Sequence, residues 1–261
     1  MKVVIFCGGM GLRLREHAEQ IPKPMVTIGY RPILWHVMRY YAHYGHKEFI
    51  LCLGYKADVI KDYFLSYNEA LTNDFILEKG GGQITLLQSD IDDWRISFVD
   101  TGLSANLAQR LQAVEPFLGD DEMFLANYAD VLTDAPLPEM VQRFESQDAI
   151  WQMMIVQPNY TFHIVDAGGD GRVRAINDVR DAAMWINGGY FVLRRAIFDF
   201  IRSGDELVNE TFARLMEVDA LTAYRHPGFW APMDTLKDRQ VLEELYQTGN
   251  RPWCVWEQPL R

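Results

Sequence analysis

The chain has 261 residues, 49% of them hydrophobic and 13% aromatic, with 25 Lys and Arg against 36 Asp and Glu for a formal charge of −11. That length and apolar content suffice for a substantial core and exclude a disordered chain. The acidic balance disfavours nonspecific binding to nucleic acid or to anionic lipid, whose polyanions the overall field repels, so a polyanionic ligand needs a local cationic pocket.

The run KVVIF (2–6) is continuously apolar and is closed by Gly8 and Gly9, the pattern of a strand buried on both faces. The stretch that follows, FCGGMGLRLREHAEQIPKPM (6–25), is the densest cationic segment, with Arg13, Arg15 and Lys23. Glycines directly after a first strand let backbone N–H groups approach phosphate oxygens with no Cβ in the way. Taken alone, they fit a tight strand-to-loop turn equally well. The G-x-G-x-x-G pattern counted from Gly9 ends in Leu14, and no G-K-[ST] follows, which disfavours both a dinucleotide fingerprint and a Walker loop. Pro22 and Pro24 are expected to hold the backbone extended on either side of Lys23, presenting its ammonium from a stiff segment.

RPILWHVMRYYAHYG (31–45) reads as a helix entered at Pro32 and stopped at Gly45, with Ile33, Val37, Tyr41 and Tyr44 at helical spacing. EFILCL (48–53) repeats the strand pattern and completes a β-loop-α-β unit, whose crossover is right-handed. KADVIKDYFLSY (56–67) predicts a helix. DFILEKGGGQITLLQ (74–88) predicts a hairpin about three glycines. ISFVDTG (96–102) and EMFLANYAD (122–130) predict strands separated by the helical ANLAQRLQAVEPFLG (105–119). AIWQMMIVQ (149–157) and GGYFVLRR (188–195) predict further strands, and LKDRQVLEELYQTG (236–249) a terminal helix.

This alternation predicts an α/β chain: a doubly wound, mostly parallel, Rossmann-like sheet with a small additional β-hairpin and a C-terminal helical segment. One domain is expected over 1–261, with a nucleotide-binding core in 1–135 and an acceptor-binding part in 136–261. Ligands of such sheets sit at the C-terminal ends of the strands, where the loop after the first strand and Asp130 both fall. Cys7, Cys52 and Cys254 are an odd set without C-x-x-C spacing, as expected of buried thiols in a reducing compartment. With no signal-peptide core and no run of membrane-spanning length, the expected location is the cytoplasm. None of the six histidines falls in a metal-binding pattern.

Five segments together carry a family resemblance. G-G-x-G-x-R-L (8–14), PKPM (22–25), a strand ending in Asp130, INGGYFVL (186–193) and HPGFWAPMDT (226–235) occur in order over nearly the whole chain. In this it resembles the sugar-1-phosphate nucleotidyltransferases, and among them the glucose-1-phosphate cytidylyltransferases. The resemblance implies in-line attack of an acceptor phosphate oxygen on the α-phosphorus of CTP, with pyrophosphate leaving. It implies Mg²⁺ held by Asp130 and Asp234, and catalytic roles for Arg13 at the β- and γ-phosphates and for Lys23 near the reacting centre. Cys7, Gly8, Gly9, Met10, Gly11, Thr101, Arg110 and Ala129 would line the nucleotide. Asn187, Gly188, Gly189, Arg180 and Trp230 would face the acceptor, and relatives are commonly homo-oligomers.

Read without the resemblance, Asp130 is a turn residue, Asp234 an N-cap, Arg110 part of a solvated helix face and Trp230 core packing. The sequence also departs from the family pattern. Leu12 stands for a threonine, Ala129 for a glycine, NLAQR for a glycine-bearing segment and His163 for a glycine. The family E-K-P motif, whose lysine meets the sugar phosphate, is replaced by Asp178, Val179 and Arg180. Losing that cation weakens hold on a dianion, so the acceptor is expected to be altered relative to glucose 1-phosphate. Use of UTP or dTTP, and a non-catalytic nucleotide-binding regulatory homologue, remain open at this level.

Overall fold

The computed structural model describes residues 1–9, 21–158, 163–178 and 184–257. Its first strand, β1 (Val3–Phe6), has all four side chains buried. Lys23–Met25 is a single 3-10 turn, not an extended segment: only the flanking Pro22 and Val26 are extended, and Met25 N–H and Val26 N–H bond back to Pro22 and Lys23 as Met25 is drawn into the core. A short hairpin of β2 (Thr27–Ile28) and β3 (Arg31–Pro32) leads into α1 (Ile33–His43), which Pro32 opens and Gly45, at φ +87°, follows in the left-handed region.

Next come β4 (Glu48–Leu53), α2 (Ala57–Leu65), the one-turn α3 (Glu69–Thr72) and the hairpin β5 (Phe75–Glu78) and β6 (Gln83–Leu86). They are followed by β7 (Arg95–Asp100), α4 (Leu107–Val114), β8 (Met123–Tyr128), β9 (Val131–Thr133) and α5 (Leu137–Glu145). The second half contributes β10 (Trp151–Val156), the hairpin β11 (His163–Ala167) and β12 (Val173–Asp178), then β13 (Ile186–Arg194) and α6 (Phe212–Glu217). It closes with β14 (Leu221–His226), β15 (Trp230–Pro232) and α7 (Leu236–Gln247).

Seven strands form the central sheet in the order β14-β10-β13-β8-β1-β4-β7. All but β13 run the same way; β13 pairs antiparallel with both β8 and β10. Alternate side chains of each central strand feed opposite layers: Val3, Ile5, Leu51 and Leu125 face α1, α2, α5 and α7, while Val4, Phe6, Ile50 and Phe124 face α4 and α6. Burial on both faces is why these strands read as unbroken apolar runs. The chain leaves β1 toward β4 and β7 on one side and reaches β8 on the other. The sheet therefore changes winding direction at β1 and β8, whose C-terminal ends open a crevice.

Candidate active site

Three strand ends are tied together at this crevice by one guanidinium. Arg110, buried on α4, donates through Nη2 to Gly8 O at 2.9 Å, and through Nη1 to Leu53 O at 3.2 Å and Thr101 Oγ1 at 2.6 Å. Thr101 Oγ1 in turn donates to Leu53 O at 2.7 Å. The glycine at position 8 is required by this arrangement, because a Cβ there would lie 1.9 Å from Arg110 Nη1. At Gly9, a Cβ would meet none of the described residues within 4 Å, and the residue lines the cavity. Cys7 is fully buried beside Cys52, and burial pushes its thiol well above the ordinary range, so it contributes wall and not nucleophile.

Two carboxylates far apart in the sequence meet beside that crevice through a ladder that hydrophobic patterning does not reveal. β9 pairs antiparallel with β15, Val131 opposite Pro232, and Met233 N–H donates to Asp130 O at 2.9 Å. Asp130, in the turn between β8 and β9, and Asp234, just past β15, are thereby placed side by side. Lys23 Nζ lies 2.5 Å from Asp130 Oδ2 and 2.5 Å from Asp234 Oδ1, so the two oxygens are within twice that distance of each other. Burial tends to lower the pKa of this ammonium, but the adjoining carboxylates outweigh it and hold the lysine above its ordinary range. Asp234 does not cap α7. Thr235 does so, in a capping box with Asp238, which also accepts from Asp234 N–H; the Asp234 carboxylate is left for Lys23.

On the other side of the ladder, the INGG segment opens β13. Asn187 Oδ1 accepts Gly189 N–H at 2.9 Å, closing an Asx turn, and Gly189 has φ +78°. A Cβ on Gly188 would approach Met154 Cε to 2.8 Å, and one on Gly189 would approach Tyr128 Cδ2 to 2.6 Å. Trp230 is buried in the core, and its indole N–H donates to Gly188 O at 2.8 Å, so it carries this turn from beneath. Asn187 Nδ2 reaches Tyr128 Oη at 3.5 Å.

A cavity of about 760 Å³ joins these parts. Gly8, Gly9, Lys23, Asp130, Asn187 and Asp234 are among its lining residues, as are Cys7, Arg110, Ala129, Gly188 and Trp230. Thr101 meets the site through Arg110, and Gly189 through the turn it closes. Met10, Gly11, Arg13 and Arg180 lie outside the described residues. Sequence reasoning missed Tyr128, the 103–107 segment and Glu206, which also line the cavity. Asn106 Nδ2 donates to Glu206 Oε1 at 3.0 Å while its Oδ1 caps α4. The N-x-x-Q capping box, Asn106 with Gln109, was the readable signal for that rim.

The nucleotidyl transferase family model matches residues 2–235, from β1 to just past Asp234. The chain is 37% identical over 260 residues to the glucose-1-phosphate cytidylyltransferase of Salmonella typhimurium, covering 98% of this chain and all of that one. It is 35% identical over 258 residues to the protein named a probable glucose-1-phosphate cytidylyltransferase in Bacillus subtilis, with 98% and 100% covered.

The chain is a nucleotidyltransferase.

Among solved structures, the UTP-bound UGPase of Acinetobacter baumannii superposes with a TM-score of 0.69 at 23% identity, covering 94% of this chain and 92% of that one, a likeness of fold alone. In this nucleotidyltransferase the mostly parallel, doubly wound sheet is the expected one. Its family match runs through both the glycine turn of β1 and the β9/β15 ladder, the two features that build the crevice.

Proposed function

We propose that the chain transfers a cytidylyl group from CTP to a sugar 1-phosphate or a related small phosphate-bearing acceptor, in a Mg²⁺-dependent reaction that releases pyrophosphate. The observation that carries this reading is the meeting of Lys23, Asp130 and Asp234 at the mouth of β1, between an open glycine backbone and the INGG turn. Two converging carboxylates are hard oxygen donors of the number Mg²⁺ uses when phosphates and water complete its shell. Among the described residues no cluster of three or more His, Cys, Asp or Glu competes for that role.

The roles follow from placement. The Gly9 backbone, which no described residue crowds within 4 Å, suits close approach by phosphate oxygens, while Arg110 fixes the three strand ends that frame the nucleotide end of the cavity. Asp130 and Asp234 would hold Mg²⁺, which when bound neutralises charge on the phosphates. The acceptor phosphate oxygen, oriented from the Asn187–Gly189 turn, forms the new bond to the α-phosphorus as the bond to the bridging oxygen of pyrophosphate breaks. Lys23 is positioned to offset charge at the reacting centre. An acceptor other than glucose 1-phosphate is favoured by the missing E-K-P lysine, in the segment that leaves β12 at Asp178.

Pyrophosphate release with CTP, UTP and dTTP against a panel of sugar phosphates and other small phosphates tests the proposal. CTP is expected to lead, and Asp130→Asn to reduce turnover by about a hundredfold or more, as for loss of a principal charge-stabilising group. No release with any pair by correctly folded protein would defeat it.

The proposal extends to assembly with copies of itself. In the β5–β6 hairpin, Phe75 faces Leu86 and Leu77 faces Ile84, giving one wholly apolar face whose members are 40%, 39%, 57% and 52% exposed. A two-stranded hairpin with an uncovered apolar face is marginal in water, which supports its burial between protomers. Among the described residues no helix is long and apolar enough to cross a membrane. We place the enzyme in the cytoplasm, a setting that suits its three buried free thiols.

A further inference from the structure

We infer that Lys23 is a built-in stand-in for the divalent cation: it holds Asp130 and Asp234 together in the metal-free protein, and a metal ion has to displace it from both. The inference rests on the reading of these carboxylates as the metal pair.

The geometry is that of a cation between two anions. One Nζ takes an oxygen from each carboxylate at 2.5 Å, and the lysine, Asp130 and Asp234 side chains are only 14%, 24% and 36% exposed. An ammonium and a metal ion cannot occupy the space between the same two oxygens. Removing the ammonium without replacement would leave two anions converging in a site of reduced dielectric, where like charges repel far more than in water. The lysine therefore preserves the paired arrangement until a dication arrives.

The local backbone makes the exchange a side-chain movement. Lys23 sits between two prolines in a turn closed by Met25 N–H to Pro22 O at 2.8 Å and by Val26 N–H to Lys23 O at 3.1 Å, with Pro24 and Met25 buried. Its Cα is pinned, while four methylenes leave Nζ free to withdraw. Charge determines when it does so. Two carboxylates and one ammonium sum to −1; a dication entering alone expels a lysine that is then left beside a like charge. A dication entering with a polyphosphate gives the displaced ammonium an anionic partner. Metal binding is thus weak in the free protein and strengthened by nucleotide, a coupling that must be reciprocal.

Mn²⁺ titrations followed by electron paramagnetic resonance of the free ion, without nucleotide, test the exchange on wild type, Lys23→Met and Asp130→Asn. Folding of each is checked by circular dichroism. Lys23→Met is expected to bind Mn²⁺ at least about tenfold more tightly than wild type, well within what one ammonium a few ångströms from a dication supplies in a partly buried site. Equal or weaker binding by Lys23→Met, with Asp130→Asn abolishing binding, would overturn the exchange while leaving the metal site standing. Unchanged binding in Asp130→Asn would instead remove the metal reading itself. A second measurement needs no variant. In wild type with ¹³C-methylated lysines, the Lys23 resonance is expected to move on saturation with Mg²⁺ and CTP; a fixed resonance at saturation would overturn the exchange.

Discussion

Replacing Gly8 by Ala is expected to act through Arg110. The added Cβ would sit 1.9 Å from Nη1 and 2.3 Å from Cζ of a guanidinium enclosed by Gly8, Leu53 and Thr101, and it cannot be accommodated with that group in place. Hydrogen bonds from a charged donor are worth about 1.5–3 kcal/mol each and are not additive within one group, so loss of the three contacts should cost about 3–4 kcal/mol. Arg110→Ala removes the same contacts and should cost a similar amount. The double variant should then cost little more than either single one, because the space the methyl needs has been vacated. Urea unfolding of the four proteins measures this as a coupling energy of about 2–3 kcal/mol. Costs that add to within about 0.5 kcal/mol would refute the shared-space explanation. A Gly8→Ala protein of wild-type stability would refute the clash itself.

Trp230→Phe removes the indole N–H from Gly188 O and is expected to raise the acceptor KM about fivefold or more at nearly constant CTP KM, with about 1–2 kcal/mol lost in stability. Steady-state kinetics with each substrate varied decides between this and uniform damage. His36 is buried, and burial lowers its pKa from 6.5 to about 4; Ile28 O and the Trp253 indole N–H engage its two nitrogens as the neutral ring. The unfolded chain takes up this proton below pH 6.5 and the folded one does not, so stability falls from pH 6.5 to about 4, by up to about 3 kcal/mol. Urea midpoints for wild type and His36→Gln should converge at acid pH; parallel losses would exclude His36 as the cause. Leu77→Lys combined with Ile84→Lys places charge on the apolar hairpin face and should yield a smaller species in light scattering, whereas an unchanged mass would free that face of any role in assembly.

The strands β1, β4 and β8 were legible because both faces are buried and their apolar runs are unbroken, and α1 because Pro32 and Gly45 punctuate it. The motifs alone point to Lys23, Asp130 and Asp234 as one site, and the fold brings their side chains together. What joins the carboxylates was not legible: β9 and β15 are three residues each, too short for a period, and their partnership spans most of the second half of the chain. The β11–β12 hairpin is not legible in the sequence, since its residues are mostly exposed and mix charged with apolar side chains. Arg110 falls on the buried face of its helix, where patterning suggests an apolar residue; only the converging carbonyls explain a guanidinium there. The prolines around Lys23 suggested a straight presentation, and the burial of Met25 curls that segment into a turn instead.

The three rungs between β9 and β15 also mark an exit and a re-entry. All of the polypeptide from Asp134 to Phe229, the INGG turn included, departs along one rail and comes back along the other, and those residues themselves meet where Asp134 Oδ1 accepts Phe229 N–H at 2.7 Å. Within that excursion, the exposed β11–β12 arm can be rewritten, lengthened or exchanged without touching the spacing of Asp130 and Asp234, provided the rails keep step. On the roles proposed above, specificity for the second substrate and the chemistry common to every substrate would mutate on separate accounts, and this segment would be the natural place to graft new acceptors onto an unchanged engine.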